Sequence, residues 1–73
     1  MVIEFSQGKI ILTPFEVQVR LSTSGTTMYA MVEDIKFVDQ ALIINADAGA
    51  VRWSLRLDTL EQLNSIREEL GIG

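Results

Sequence analysis

ALIINADAGAVRWSLRLDTLEQLNSIREEL, residues 41–70, is the stretch that decides the fold class. It predicts two strands, residues 41–45 and 51–57, joined by a short turn that contains glycine. In the second strand, apolar and polar side chains alternate from Val51 to Leu57, which is the period of a strand with one buried face. Trp53 lies on the apolar side, so we expect it to be buried in the core rather than to stack on a nucleotide base.

The same stretch continues directly into an amphipathic helix, predicted over residues 59–70. We expect Asp58 to cap its N-terminus, with Glu61 three residues later as a variant of the capping box. A step of about 100° per residue places four apolar side chains in one sector, which we expect to pack on the inner face of the sheet. These are Leu60, Leu63, Ile66 and Leu70. Gly71 is suited to end the helix because glycine readily adopts a positive φ.

The chain is short, with 73 residues, and it predicts a single domain, 1–73, with a small core. It contains no cysteine and no histidine, which excludes a disulfide and a zinc site built from those ligands. Hydrophobic residues nevertheless make up 48% of the chain. Without a disulfide or a metal, association with a second copy is a common source of stability for so small a domain. The composition therefore predicts a homodimer.

The net charge of −4 at pH 7 argues against nucleic acid and against anionic membrane surfaces as partners. No run of apolar residues reaches the length of about 18 that a membrane-spanning helix requires. The first residues, MVIEFSQGK, lack the pattern of a signal peptide. We therefore expect a cytoplasmic protein whose partner is a second copy of itself, or another protein.

Strand-like segments also fill the first half of the chain. Residues 1–5 and 10–13 are short apolar runs, and together with Pro14 they suggest an imperfectly protected sheet edge. Residues 15–21 alternate strictly, and the following side chains are expected on the buried face: Phe15, Val17, Val19 and Leu21. Residues 22–27 predict a plain hairpin loop rather than a phosphate-binding loop, because no Gly-Lys-Ser/Thr follows.

Residues 28–32 are apolar on both faces, which is more than one face of a sheet needs. We therefore expect one of these faces to be covered by a partner chain. The acidic pair Glu33 and Asp34 interrupts the apolar run, which resumes at residues 35–38, and this predicts a bend or bulge. On a regular strand the two carboxylates would point to opposite faces and would not share a substrate.

The order of elements is thus about six strands followed by one helix. Short turns between consecutive strands predict antiparallel pairing. We expect a mainly β fold of the α+β type. It would be a curved antiparallel sheet of about six strands, or a small barrel, closed by one C-terminal amphipathic helix.

This pattern resembles the pleckstrin-homology-like architecture, and the resemblance covers residues 35–70, about half of the chain. The sequence from MVIEFSQGKIILTPFEVQVRLS to VRWSLRLD is also similar to a small bacterial family of short proteins of unknown function. The first resemblance implies a bent sheet closed by a helix. The second implies no activity and no site.

Catalytic chemistry is poorly supported by the residues present. The absence of His and Cys removes the commonest general base, the thiolate nucleophile and the soft metal ligands. A serine nucleophile would need Lys9 or Lys36 as its base, and neither lies in a Ser-x-x-Lys motif. Asp39 and Asp47 lack the spacing of a calcium loop. We expect no enzyme activity, no cofactor and no metal site.

Three arginines, Arg20, Arg52 and Arg56, lie on the polar faces of their predicted strands. If those strands share a sheet, the arginines form a basic patch, and otherwise they pair with acidic neighbours such as Glu16. Together with Met28, these arginines are our candidate partner contacts.

Two functions follow from these observations. The first is a small non-enzymatic structural or protein-interaction module that associates with itself. The alternative is a pleckstrin-homology-like module that binds a peptide or a small ligand at a sheet edge or in the mouth of the curved sheet. An exposed sheet edge or an open concave mouth would favour the alternative.

Overall fold

The computed structural model describes residues 1–71, which form seven β-strands and one α-helix. The strands are β1 Val2–Phe5, β2 Gly8–Leu12, β3 Glu16–Leu21, β4 Thr27–Met31, β5 Ile35–Val38, β6 Ile43–Asp47 and β7 Arg52–Arg56, and the helix is α1 Leu60–Leu70. Strands β1 to β4 form the first sheet and β5 to β7 the second, each in chain order and antiparallel throughout. The mainly β class and the C-terminal helix are confirmed.

The expectation of one sheet of about six strands, or a small barrel, is wrong. Within residues 1–71 no strand of the first sheet pairs with a strand of the second, so the barrel is not closed. The division falls at the acidic pair, because Val32–Asp34 forms a 3-10 helical turn. Glu33 and Asp34 therefore lie in this turn and not on opposite faces of a strand. The bend predicted there is confirmed, and Ile35 then begins the second sheet.

The strand predicted over residues 41–45 starts later in the chain, because Asp39–Ala41 forms a second 3-10 turn. Leu42 follows this turn in the left-handed conformation, with φ 57°, and β6 begins only at Ile43. Such a conformation costs about 1–3 kcal/mol for a residue with a side chain. Two backbone bonds hold it: Leu42 N–H donates to Asp39 O at 3.2 Å, and Leu57 N–H donates to Leu42 O at 2.8 Å.

Two side chains that the strand period placed on a buried face lie instead in turns. Thr13 Oγ1 accepts hydrogen bonds from the Phe15 and Glu16 amides at 3.3 and 3.0 Å, so β3 starts after Phe15, whose side chain is exposed. Ala48 N–H donates to Val51 O at 2.9 Å, so Val51 closes the β6–β7 turn and is exposed as well. The predicted burial of both side chains is wrong.

The hydrophobic core receives side chains from both sheets and from the helix. Six of them are fully buried: Ile10, Val17, Val19, Ile44, Leu63 and Ile66. Trp53 was expected to be buried but is only half-buried at the margin of this core. Its indole Nε1–H donates to Tyr29 O at 3.2 Å, and this bond links β7 to β4. The polar end of the indole therefore stays near the surface.

The helix begins one residue later than the sequence suggested. Thr59 is the N-cap, and its Oγ1 accepts from Gln62 N–H at 3.2 Å while Gln62 Oε1 accepts from Thr59 N–H at 3.2 Å. The predicted cap of Asp58 with Glu61 is wrong, because the Asp58 carboxylate is engaged by Ser6. Gly71, at φ 69°, ends the helix as predicted.

Only part of the predicted apolar sector of α1 lies in the core. Leu63 and Ile66 are fully buried and Leu70 packs against the core, but Leu60 is 49% exposed. The expectation for Leu60 is wrong because the first helical residue precedes the turn of α1 that meets the sheets.

Arg67 fixes the C-terminal half of α1 to the second sheet. Its guanidinium lies 4.8 Å from the centre of the Phe37 ring, in cation–π contact. It also forms an ion pair with Asp39 and donates to Asn64 Oδ1 at 3.0 Å. No local pattern in the sequence indicates this contact, because Arg67 and Asp39 are 28 positions apart.

Asp58 joins the start of α1 to the β1–β2 turn. Its carboxylate accepts from the Ser6 hydroxyl at 2.6 Å and from the Ser6 amide at 2.8 Å. The hydrogen bond from the Ser6 hydroxyl, and then that from the Ser6 amide, lowers the pKa of Asp58 from its ordinary value of 3.8.

We expect Leu63→Ala to destabilise the fold by about 2–5 kcal/mol, because it leaves a cavity among fully buried side chains. Leu60→Ala in the same helix is the matched control, and at an exposed site it should change stability by less than about 0.5 kcal/mol. Urea unfolding followed by circular dichroism measures both. Equal losses in the two variants would contradict this position of the helix.

We expect Asp58→Asn to lower the melting temperature near pH 7 and to lose that effect in acid. A carboxylate whose pKa is lowered in the folded state stabilises the fold above its unfolded pKa, about 3.9, and loses this contribution as the pH falls through the folded value. The difference between the wild type and Asp58→Asn should therefore shrink below about pH 4 in thermal melts. Glu33→Gln is the control for net charge. A difference that stays constant down to the lowest pH would contradict the role of Ser6.

Candidate functional site: the outer face of the first sheet

The first sheet has an outer face that points away from the core, and the strand register arranges it in three rows. The middle row is Val2, Ile11, Gln18 and Tyr29, one residue from each strand. The charged row beside it is Glu4, Lys9, Arg20 and Thr27. On the opposite side lie Glu16 and Met31, which are paired across β3 and β4, and Thr13, whose N–H donates to Glu16 O at 3.0 Å. These eleven residues are the outer face below.

Large apolar side chains are exposed on the outer face and at one end of it. The exposed fractions are 56% for Val2, 57% for Tyr29, 47% for Met31, 55% for Met1 and 75% for Phe15. Phe15 lies beside this surface because it lines a groove together with Met31, whereas Met1 is paired with Leu12, whose side chain is buried in the core, and so does not belong to the outer face. Large apolar side chains exposed on one face often mark an interaction site.

The other end of the outer face is charged. Lys9 lies opposite Glu4 on one side and opposite Arg20 on the other, so two cations are direct cross-strand neighbours. Like charges in this position destabilise a sheet. Both cations line a shallow open pocket of about 310 Å³ with Glu4 and Ser22.

Gln18 connects the charged row to the middle row. With its amide oxygen turned towards Arg20, it accepts hydrogen bonds from Nε at 2.8 Å and from Nη2 at 3.1 Å. These bonds direct the guanidinium of Arg20 over the centre of the outer face.

Both edges of the first sheet are covered in part by side chains from elsewhere. On β1, Glu4 O accepts from Gln62 Nε2 at 3.3 Å, next to the Ser6–Asp58 bonds. On β4, Tyr29 O accepts from the Trp53 indole. The imperfectly protected β1 edge that the sequence suggested is therefore covered by the start of α1. Occupied backbone groups hinder the pairing of another strand, whereas the outer face has no such protection.

A groove beside the end of β4 is the second open surface. Its walls are Pro14, Phe15, Met31, Val32 and Glu33, and its volume is about 290 Å³. Most of these side chains are apolar, so the groove is suited to an apolar side chain of another molecule.

The three arginines do not share a sheet, so the basic patch considered from the sequence is not formed. Arg20 lies on β3 of the first sheet, whereas Arg52 and Arg56 lie on β7 of the second. Arg52 Nε pairs with Asp47 Oδ1 at 3.2 Å, and Arg56 Nε donates to Ala41 O at 3.1 Å. The acidic partner found is thus Asp47 rather than Glu16.

Met28, the fourth candidate, lies in the inner row that contains Val19 and packs against the core while half-buried. Its neighbours on β4, Tyr29 and Met31, carry the outward apolar surface. A signal for this surface is present in the sequence, since residues 28–32 are apolar at every position. No such signal exists for Val2 and Ile11, whose place in the same row as Tyr29 depends on the register.

The outer face presents apolar side chains, amides and charges. In the described part of the chain, no three acidic side chains are grouped so that they could hold a metal ion. Among residues 1–71, no helix has the length and the apolar character needed to cross a bilayer.

Comparison with known proteins identifies a family but no activity. The model of a family described as "Protein of unknown function (DUF3389)" matches residues 1–73. No match was found among curated proteins, and none among solved structures. The similarity to a family of short proteins of unknown function, expected from the sequence, is confirmed. This chain therefore belongs to the DUF3389 family.

Proposed function

We propose that this protein is a small non-enzymatic interaction module that associates with a second copy of itself through the outer face. The observation that carries the proposal is the exposure of Val2, Tyr29 and Met31 on one sheet face, with Phe15 beside Met31. Covering an apolar side chain contributes about 1.5–3 kcal/mol when its burial is complete. A second copy offers the same apolar surface and needs no other partner.

The size of the outer face limits the strength of this association. Four strands about 4.8 Å apart, each with five residues at a rise of about 3.4 Å, span about 19 by 17 Å. The area of this rectangle, about 320 Å², is below the roughly 800 Å² of surface that each partner contributes to an interface of standard size. Association also costs at least about 4 kcal/mol of rotational and translational freedom. We therefore propose a weak dimer that forms at micromolar concentrations or above.

The other parts of the proposal rest on composition and on element order. A non-enzymatic role is supported by the lack of His and Cys. A pleckstrin-homology-like architecture is supported by the succession of four strands, three strands and a C-terminal helix. A cytoplasmic location and a bacterial origin stay predictions from the sequence.

The groove beside β4 favours a second candidate function, the binding of an extended peptide. Phe15 and Met31 would contact apolar side chains of that peptide, while the free side of β4 would offer backbone groups. The Trp53 indole already occupies the Tyr29 carbonyl in the middle of that edge, which makes this candidate the weaker one. An extended peptide of alternating Val and Thr is a suitable probe. Amide shifts confined to Phe15, Met31 and Val32 in an NMR titration would support it.

We expect the wild-type protein to show a dimer mass at high concentration and a melting temperature that rises with concentration, by mass action. Replacing Val2 and Tyr29 together by Ser should raise the dissociation constant at least about tenfold, since it removes apolar area worth more than about 1.4 kcal/mol. Sedimentation equilibrium measures the dissociation constant.

The matched control replaces Val38 and Val51 by Ser, which are exposed apolar residues of the second half of the chain. This control should dimerise as the wild type does. A monomer mass at every concentration, with a constant melting temperature, would contradict self-association and leave the peptide-binding function as the better candidate.

A further inference from the structure

The three rows of the outer face determine how two copies can stack. The charged row has its cations on β2 and β3, and the row on the opposite side has its acid, Glu16, on β3. A closed dimer requires a two-fold axis, which brings the same surface of both copies together. For two stacked sheets the axis runs either along the strands or across them.

An axis along the strands, between β2 and β3, keeps the rows and exchanges the strands. It places Lys9 of each copy over Arg20 of the other, in addition to the Lys9–Arg20 contact within each sheet. Four cations would then be grouped at one interface, while the two Glu4 carboxylates of the same row lie over Thr27 rather than over a cation. Juxtaposed like charges cost an interface several kcal/mol, so this axis is disfavoured.

An axis across the strands, along the middle row, keeps each strand over its own equivalent and exchanges the two outer rows. Val2, Ile11, Gln18 and Tyr29 then each face the same residue of the other copy. On β3, Arg20 of each copy lies over Glu16 of the other, and on β2, Lys9 lies over Thr13. The middle row keeps its apolar contacts, Met31 of each copy lies over Thr27 of the other, and the interface gains two ion pairs of opposite charge.

We infer that the dimer is built on this second axis, and that Arg20 of one copy pairs with Glu16 of the other at two equivalent places. The inference rests on the proposed self-association and specifies its geometry. In a single copy the Arg20 guanidinium bonds to the Gln18 amide oxygen, and in the dimer it turns from that neutral acceptor to the carboxylate of Glu16 of the other copy. Stacked sheets lie about 10 Å apart and within about 30° of each other, which is within reach of two long opposed side chains.

Pairing of two copies edge to edge is the other way in which sheets associate, and the structure opposes it. The β1 edge carries the Gln62 and Asp58 contacts, and the β4 edge carries the Trp53 contact. A strand added at either edge would have to displace these hydrogen bonds.

A charge exchange tests the axis without damaging the monomer. Arg20→Glu places an acid opposite Lys9, so it replaces a repulsive cross-strand pair by an attractive one and should not lower the stability of the fold. Glu16→Arg is the reciprocal change. In a homodimer of either variant, residues 16 and 20 of the two copies carry like charges at both contacts, and we expect dimerisation to weaken at least tenfold.

An equimolar mixture of Arg20→Glu and Glu16→Arg should dimerise about as well as the wild type, because the new charges of the two variants are opposite. The variant that carries both substitutions should also form a homodimer with about the dissociation constant of the wild type. Lys9→Glu distinguishes the axes: it should change the dissociation constant little on the axis across the strands, and should tighten the dimer on the axis along them. Sedimentation equilibrium gives each dissociation constant, and monomer melts in dilute solution check the fold.

Three results would overturn the inference in different ways. A wild-type dimer with unaffected single variants would place the interface elsewhere while self-association stands. Weakened single variants with no recovery in the mixture would show that the outer face is used on a different axis. A wild-type protein that remains monomeric at every concentration would contradict the proposed self-association itself.

Discussion

Packing of Leu63 and Ile66 against the two sheets is the interaction on which the rest of the structure depends. Within residues 1–71 the sheets are not joined by strand pairing, so side chains must hold them together. These two helical residues lie fully buried in the same core as Ile10 of the first sheet and Ile44 of the second. The polar contacts at the rim, Asp58 with Ser6 and Arg67 with Phe37, fix where the helix lies but bury little apolar surface.

This arrangement explains why one sheet face remains exposed. A single helix of 11 residues closes one core, and that core uses the inner faces of both sheets. The helix start and Trp53 also supply the hydrogen bonds that cover the edges of the first sheet. The core is thus complete without the apolar side chains of the outer face, and these side chains remain exposed. This exposed surface is the one through which we propose that the protein associates with a second copy.

The sequence predicted what depends on local periodicity and missed what depends on contacts between distant segments. Alternation correctly placed Val17 and Val19 inside, and helical spacing correctly placed Leu63 and Ile66. The errors fall where elements begin. Thr13 turns the chain before β3 and exposes Phe15, and Ser6, 52 positions away, takes the carboxylate that was expected to cap the helix. The outer face depends on such long-range information too, since only the register of β1 to β4 brings Val2, Ile11 and Tyr29 into one row.

The register also gives Arg20 an incomplete environment in a single copy. Its direct cross-strand neighbours are Lys9 and Thr27, so neither of them is an acid, and Glu4 of the same row lies opposite Lys9 instead. Glu16 lies on the same strand and face, but four steps at a rise of about 3.4 Å separate their backbones by about 14 Å, beyond a direct ion pair. Rotation about an axis through Gln18 exchanges these two positions and brings the acid of one copy onto the cation of the other. Glu16 and Arg20 are too far apart on β3 to pair within one molecule. In the dimer that we propose, each of them pairs with the other residue of the second molecule.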